Sequence, residues 1–196
     1  MENRVKQKKF VSLVLYLHNT QNEVVPFFQK VLPVFRDNFT NFEIVCVNDA
    51  CTDGTIGVLK EYLEENHCSE MVNIIHMSFF HGLESAMNAG RDLAIGDFIY
   101  EFDTAYVDYP SELIMEVYDK LLEGNDIVSA GTRDHVRMTS GFFYFCYNKT
   151  SRGRGKIGPE TFRIVSRRAI NRIKSIGQYI PCLLYTSPSP RDGATS

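Results

Sequence analysis

Short apolar runs alternate along this chain with stretches of helical period. Residues 10–17 are almost continuously apolar, the pattern of a strand buried on both faces. Val24, Phe27, Phe28, Val31 and Phe35 then recur at helical spacing, behind a Thr20/Glu23 pair that fits a capping box. Pro33 predicts a kink or an early end to that helix. Residues 42–47 read as a second strand, and Asp53 as the cap of a helix carrying Ile56, Leu59, Tyr62 and Leu63. A third strand over 72–77, a helix over 83–93 and a fourth strand over 97–102 follow. A helix over 111–122, stopped by Gly124, leads to a fifth strand over 126–130. Strand and helix alternating at this spacing predict an α/β fold, a mostly parallel Rossmann-like sheet with helices on both faces.

After Gly131 the pattern changes. Phe142, Phe143, Tyr144 and Phe145 stand in a row, and between positions 149 and 174 nine Lys and Arg face a lone Glu160. The aromatic run suits core packing more than contact with a lipid. The basic run suits either a phosphate-bearing ligand, an anionic membrane surface or a solvated helix face. The net charge of −3 gives no footprint for a nucleic-acid partner. The polar N-terminal residues and the lack of a long apolar run predict a cytoplasmic protein without a secretory leader or membrane span. Five cysteines without a C-x-x-C pair predict reduced thiols. Residues 182–196 lack periodicity, are rich in Pro and Ser, and look like a translated sequencing adapter. They are expected to be a non-native disordered tail behind a domain over 1–181 that is incomplete at its C terminus.

The chemistry gathers where strands end. Residues 43–55 and 96–104 each run from apolar into acidic and small side chains, as strands do where an open α/β sheet meets its ligand crevice. The turn over 17–22 has no glycine, and there is no Gly-Lys-Ser/Thr loop. Both absences weigh against dehydrogenases and nucleotide-hydrolysing enzymes. Residues 12–19 (Ser-Leu-Val-Leu-Tyr-Leu-His-Asn), 47–55 (Val-Asn-Asp-Ala-Cys-Thr-Asp-Gly-Thr), Gly82 with Ala86, Asn88 and Gly90, and 96–103 (Gly-Asp-Phe-Ile-Tyr-Glu-Phe-Asp) resemble, in order and spacing, the motifs of family 2 glycosyltransferases. Residues 131–133 and 161–167 are similar to the polyprenyl-phosphate, dolichol-phosphate mannose synthase-like branch. The resemblance covers roughly 10–176.

The resemblance implies a GT-A fold and inverting transfer from a UDP- or GDP-sugar to a polyprenyl phosphate or a glycan. It also implies peripheral contact with the inner face of a membrane. His18, Asn19, Asn48 and Asp49 fall where the family holds the nucleotide, the last two at the base and ribose. Asp53 lies on the same motif, with helix capping its stronger reading. Gly82 and Ala86 would bring the backbone close to the donor, or simply let a helix pack tightly on the sheet. Asp103 matches the first carboxylate of an Asp-x-Asp pair that binds Mg or Mn on the donor diphosphate. The second position is Ala105, so the metal site is weakened or absent; Asp108 and Glu101 are the nearest substitutes. Glu160 is the candidate base, unless the acceptor is itself a phosphate anion. Arg163, in the Phe-Arg motif, suits a phosphate. Two rival readings stand beside this one: a non-catalytic nucleotide-sugar-binding relative with a degenerate metal site, and a Rossmann-like cofactor-binding module or nucleotidyltransferase.

Overall fold

The computed structural model of this protein describes residues 6–130 and 162–175. Its elements are β1 (Val11–Leu17), α1 (Val24–Asn38), β2 (Phe42–Asn48), α2 (Thr55–Glu65), β3 (Val72–His76), α3 (Leu83–Leu93), β4 (Phe98–Phe102), α4 (Glu112–Leu122), β5 (Ile127–Ala130), β6 (Phe162–Ser166) and α5 (Arg167–Ser175). The strands form one sheet in the order β3-β2-β1-β4-β6-β5. β1 pairs in parallel with β2 and β4, and β2 with β3, while β6 runs antiparallel between β4 and β5. The chain winds outward from β1 to β3 and then returns to the other side of β1 with β4. That reversal places a topological switch point at the C-terminal ends of β1 and β4, the position at which α/β sheets bind ligands.

Alternation along β1 divides the core. Val11, Leu13, Leu15 and Leu17 pack with α1, α2 and α4. Val14 points the other way, into a smaller cluster with Ala86 and Met87 of α3 and Ala169 and Ile170 of α5. Each face of the strand thus buries branched side chains, the reason its sequence is a continuous apolar run. α3 lies especially close. A Cβ on Gly90 would stand 2.4 Å from Val14 Cγ1 and 2.8 Å from Val47 Cγ2. Gly90→Ala is therefore expected to lose about 1–3 kcal/mol of stability despite the better helix propensity of alanine, as read by urea unfolding.

Three expectations change. The Thr20/Glu23 capping box does not form: the Thr20 carbonyl, not its hydroxyl, accepts the Glu23 and Val24 amides at 3.1 Å each, and α1 has no side-chain cap bond. The Thr20 amide is instead bound to Thr55 Oγ1 at 2.8 Å, which commits the residue to the start of α2. α1 runs through Pro33 to Asn38 rather than ending early. Val31, Leu32 and Phe35 are buried around the proline. At about 1.5–3 kcal/mol each, they outweigh the roughly 3 kcal/mol that proline costs inside a helix. Finally, part of the basic segment is β6, a fully buried strand, followed by α5. Its pairing with β4 spans more than sixty residues of chain, which no local pattern reveals.

Candidate functional site

β1 and β2 end side by side, with Leu17 opposite Asn48, and the residues just beyond them build the edge of the crevice. Asp49 is its centre. The side chain is wholly buried. Its Oδ1 accepts the His81 amide at 2.8 Å, and its Oδ2 accepts the Gly82 amide at 2.8 Å and the Tyr16 hydroxyl at 3.1 Å. Burial, and after it the Asp49 charge, push the Tyr16 hydroxyl far above its ordinary pKa, so it remains a donor to the carboxylate. Gly82 has φ +83, a conformation glycine takes without strain. Asp49 thus ties the loop between β3 and α3 to the end of β2. The sequence expects it at the base or ribose; in the structure it anchors this loop through three of the acceptor positions of its carboxylate.

The neighbouring loops are locked to each other. Asn19, in the left-handed region at φ +53, accepts the Thr52 amide at 2.8 Å and the Asp53 amide at 3.3 Å through Oδ1. Asp53 Oδ1 accepts the Thr55 amide at 3.0 Å and its hydroxyl at 2.5 Å, and Oδ2 accepts the Gln21 amide at 3.1 Å. Desolvation pushes the Asp53 carboxyl up, but these hydrogen bonds outweigh it and hold it below the usual carboxylate range. Asp53 therefore caps the start of α2, the reading preferred from sequence. Asn48 Oδ1 accepts the Cys51 amide and its Nδ2 donates to His76 Nδ1, both at 2.9 Å. His18 Nδ1 donates to the Asp49 carbonyl at 2.6 Å, which fixes the Nδ1–H tautomer and leaves Nε2 as the acceptor of the neutral ring.

Across β1, Asp103 follows β4 at the same edge of the sheet. Two strand spacings separate it from Asn48 and Asp49, about 10 Å. Ala105 is fully buried in the main hydrophobic cluster with Phe102 and Tyr109, so the second motif position offers no oxygen. Among the described residues no group of three or more His, Cys, Asp or Glu is placed to hold a metal. The donor set fits only a hard cation that draws most of its oxygens from a diphosphate and water, as magnesium does.

Glu101, a candidate substitute for the missing carboxylate, lies inside the protein with no exposure. Its Oε2 accepts Arg163 Nε at 2.5 Å, and its Oε1 lies 2.7 Å from Arg91 Nε. Glu101 and Arg163 are register partners on β4 and β6. Arg163, expected at a phosphate, is thus engaged in a buried charge cluster. Arg167 donates to the carbonyls of Gly96 at 3.0 Å and Ala94 at 2.6 Å, at the opposite edge of the sheet, before β4. Arg168 pairs with Asp126. The basic face of α5 therefore braces the far edge rather than the crevice. Ala86 is buried against the sheet, which is the tight-packing reading of that motif. Glu160 and the aromatic run over 142–147 lie outside the described residues.

Sequence reasoning passed over two partners. Tyr16 is a polar tip near the end of a strand whose other residues, Ser12 apart, are apolar. Arg91 sits one helical turn after Met87, on the buried stripe of α3 that also holds Ala86 and Gly90. A charged residue on an apolar stripe is the available signal that a buried counter-charge faces it.

The chain resembles known proteins. A family model described as Glycosyl transferase family 2 matches residues 12–179. An uncharacterised glycosyltransferase of Synechocystis sp. is 32% identical over 174 residues, covering 85% of this chain and 53% of the relative. A prophage bactoprenol glucosyl transferase homologue of Escherichia coli is 30% identical over 173 residues, covering 84% and 54%. The chain spans about half the length of the curated relatives it matches. Among solved structures, a mannosyltransferase from Pyrobaculum calidifontis in complex with GDP-Man and Mn2+ superposes with a TM-score of 0.64 at 16% identity, covering 85% of this chain and 47% of the other. A glucosyl-3-phosphoglycerate synthase from Mycobacterium tuberculosis, in complex with Mn2+, UDP and phosphoglyceric acid, gives 0.63 at 12%, covering 83% and 57%. The structural likeness shows the GT-A fold expected from the sequence, and with the family match over most of its length the chain belongs to glycosyltransferase family 2.

Proposed function

We propose that this chain carries the donor-binding region of an enzyme that moves a sugar, with inversion, from a UDP- or GDP-sugar to a polyprenyl phosphate or glycan acceptor. On this reading residues 1–181 belong to the catalytic domain and 182–196 do not. The observation that carries it is the switch point between β1 and β4 in the strand order, flanked by loops that Asp49, Asn19 and Asp53 hold in place. A site ordered before the ligand arrives lowers the cost of binding it. Relatives named bactoprenol glucosyl transferases support a polyprenol-linked acceptor. Neighbours whose titles give GDP-Man, UDP and Mn2+ support a nucleotide-sugar donor and a divalent cation.

In this scheme His18, Asn19 and Asn48 meet the nucleoside, and the Asp49 carboxylate shapes the wall around it. Asp103 would hold Mg2+ or Mn2+, which neutralises charge on the leaving diphosphate. Arg163 acts by positioning, through Glu101, rather than by touching the donor. A polyprenyl phosphate brings its own anionic oxygen to the anomeric carbon, so placement and charge stabilisation suffice. A glycan hydroxyl would need a base, and Glu160 is the candidate. No helix among the described residues is long and apolar enough to cross a membrane. A lipid acceptor would be met by peripheral contact at the inner face.

The burial of Ala105 favours a second reading, a nucleotide-sugar-binding relative without turnover. Incubating the chain with labelled UDP- and GDP-sugars, a polyprenyl phosphate and Mg2+ or Mn2+ separates the two. The transferase reading expects a labelled glycolipid whose anomeric configuration is opposite to that of the donor. Donor binding without product would assign the chain to the second reading.

A further inference from the structure

The protein buries Phe27, Phe28, Phe35, Phe39, Phe102 and Phe162 almost completely, yet leaves Phe79 and Phe80 64% and 57% exposed. Both lie in the loop that Asp49 ties to the end of β2, one and two residues before the anchored His81 amide. Phe79 stacks on His81, with centroids 3.9 Å apart and planes at 18°, and the His81 Nδ1 donates to its carbonyl at 2.5 Å. Phe80 turns the other way. Its ring meets the His18 ring at 4.6 Å and 52°. His18 is itself held by its bond to the Asp49 carbonyl. Phe80 thus makes a tilted contact with a fixed imidazole and remains more than half exposed, on the loop held to the end of β2.

We infer that Phe80 is the platform on which the base of the donor nucleotide stacks, with His18 as its buttress; this rests on the donor-site reading above. A flat aromatic ring exposed on a fixed backbone is what a base with two π faces recognises, whatever its hydrogen-bonding edge. The competing use, a wedge into a membrane surface, fits less well. Residues 77–84 contain no Lys or Arg and end in Glu84, so the loop lacks the cationic flank that attracts anionic lipid. The selection of uracil or guanine falls to the polar groups beside the ring, and Phe80 supplies affinity common to both.

The chain contains no tryptophan, so Phe80→Trp places a single indole at the site. In the full chain, UDP or GDP is expected to quench its fluorescence on saturation. Phe80→Ala is expected to weaken the same nucleotide roughly five- to 150-fold with an unchanged melting temperature, because the ring is exposed. Phe79→Ala is the local control and should retain the parent's affinity. Parent-like affinity in Phe80→Ala, with no quenching in Phe80→Trp, overturns the inference while leaving the donor site intact. Parent-like affinity combined with lost sedimentation on phosphatidylglycerol vesicles overturns it in favour of the membrane wedge. Absence of UDP and GDP binding by the parent chain overturns both the inference and the reading on which it rests.

Discussion

Glu101→Ala is expected to lower the unfolding free energy by about 3–5 kcal/mol, the usual cost of removing one member of a buried charge cluster. Glu101 has no solvent exposure, and the side chains of its partners Arg91 and Arg163 are 3% and 8% exposed. Removing the carboxylate leaves two guanidinium groups facing a cavity in a medium that solvates them poorly. Against a typical total of 5–15 kcal/mol, such a loss brings the protein near its folding limit. The cluster also ties α3 and β6 to the penultimate residue of β4, two residues before Asp103. Glu101→Gln keeps the volume and loses the charge, so its effect should be smaller. A triple change to apolar residues of similar size, Glu101→Leu with Arg91→Met and Arg163→Met, should recover much of the loss, because the desolvation cost of all three charges is removed together. Urea unfolding with a common m-value reads these differences. An alanine variant within about 1 kcal/mol of the parent would show that the charges gain nothing from one another.

Asp49→Ala is expected to release the β3–α3 loop and to weaken nucleotide binding at least tenfold. Three donors, the His81 and Gly82 amides and the Tyr16 hydroxyl, lose their acceptor at once. Each that water cannot reach costs about 1–3 kcal/mol. The loop then pays the ordering entropy whenever a ligand binds, which appears as lost affinity. Hydrogen exchange at the His81 and Gly82 amides reads the anchor directly: both should be protected in the parent and exchange freely in Asp49→Ala. Asp49→Asn retains one acceptor oxygen and should fall between. Undiminished nucleotide affinity in Asp49→Ala would show that the loop plays no part in the site.

The five strands legible in the sequence are those whose apolar runs are bounded by turn residues, and β1 and β2 are the clearest because both faces are covered. β6 escaped because its identity depends on a partner more than sixty residues away and its Arg163 reads locally as part of a basic run. The same Arg163 shows why site roles are harder to read than site positions. Its place in the Phe-Arg motif suggests a phosphate, but the residue directly across the sheet is a buried glutamate. Asp49 was legible as central to the crevice; that it serves the loop rather than facing outward depends on two backbone amides that a sequence does not display. Ala105 was legible as a departure from the metal motif, and its burial among aromatic side chains gives that departure a packing basis. Phe80 carried no sequence signal at all, since an exposed phenylalanine and a buried one look alike until the loop is placed.

The central claim is that a nucleoside diphosphate occupies the crevice at the ends of β1, β2 and β4. The most direct test is the melting temperature of the chain with UDP, GDP, their sugars and NAD, each with and without Mn2+. A uridine or guanosine diphosphate should raise it, by mass action worth about 2.7 kcal/mol at a hundredfold excess over Kd. NAD should not, and Mn2+ should enlarge the shift through Asp103. A cooperative transition that no uridine or guanosine species moves would contradict the account.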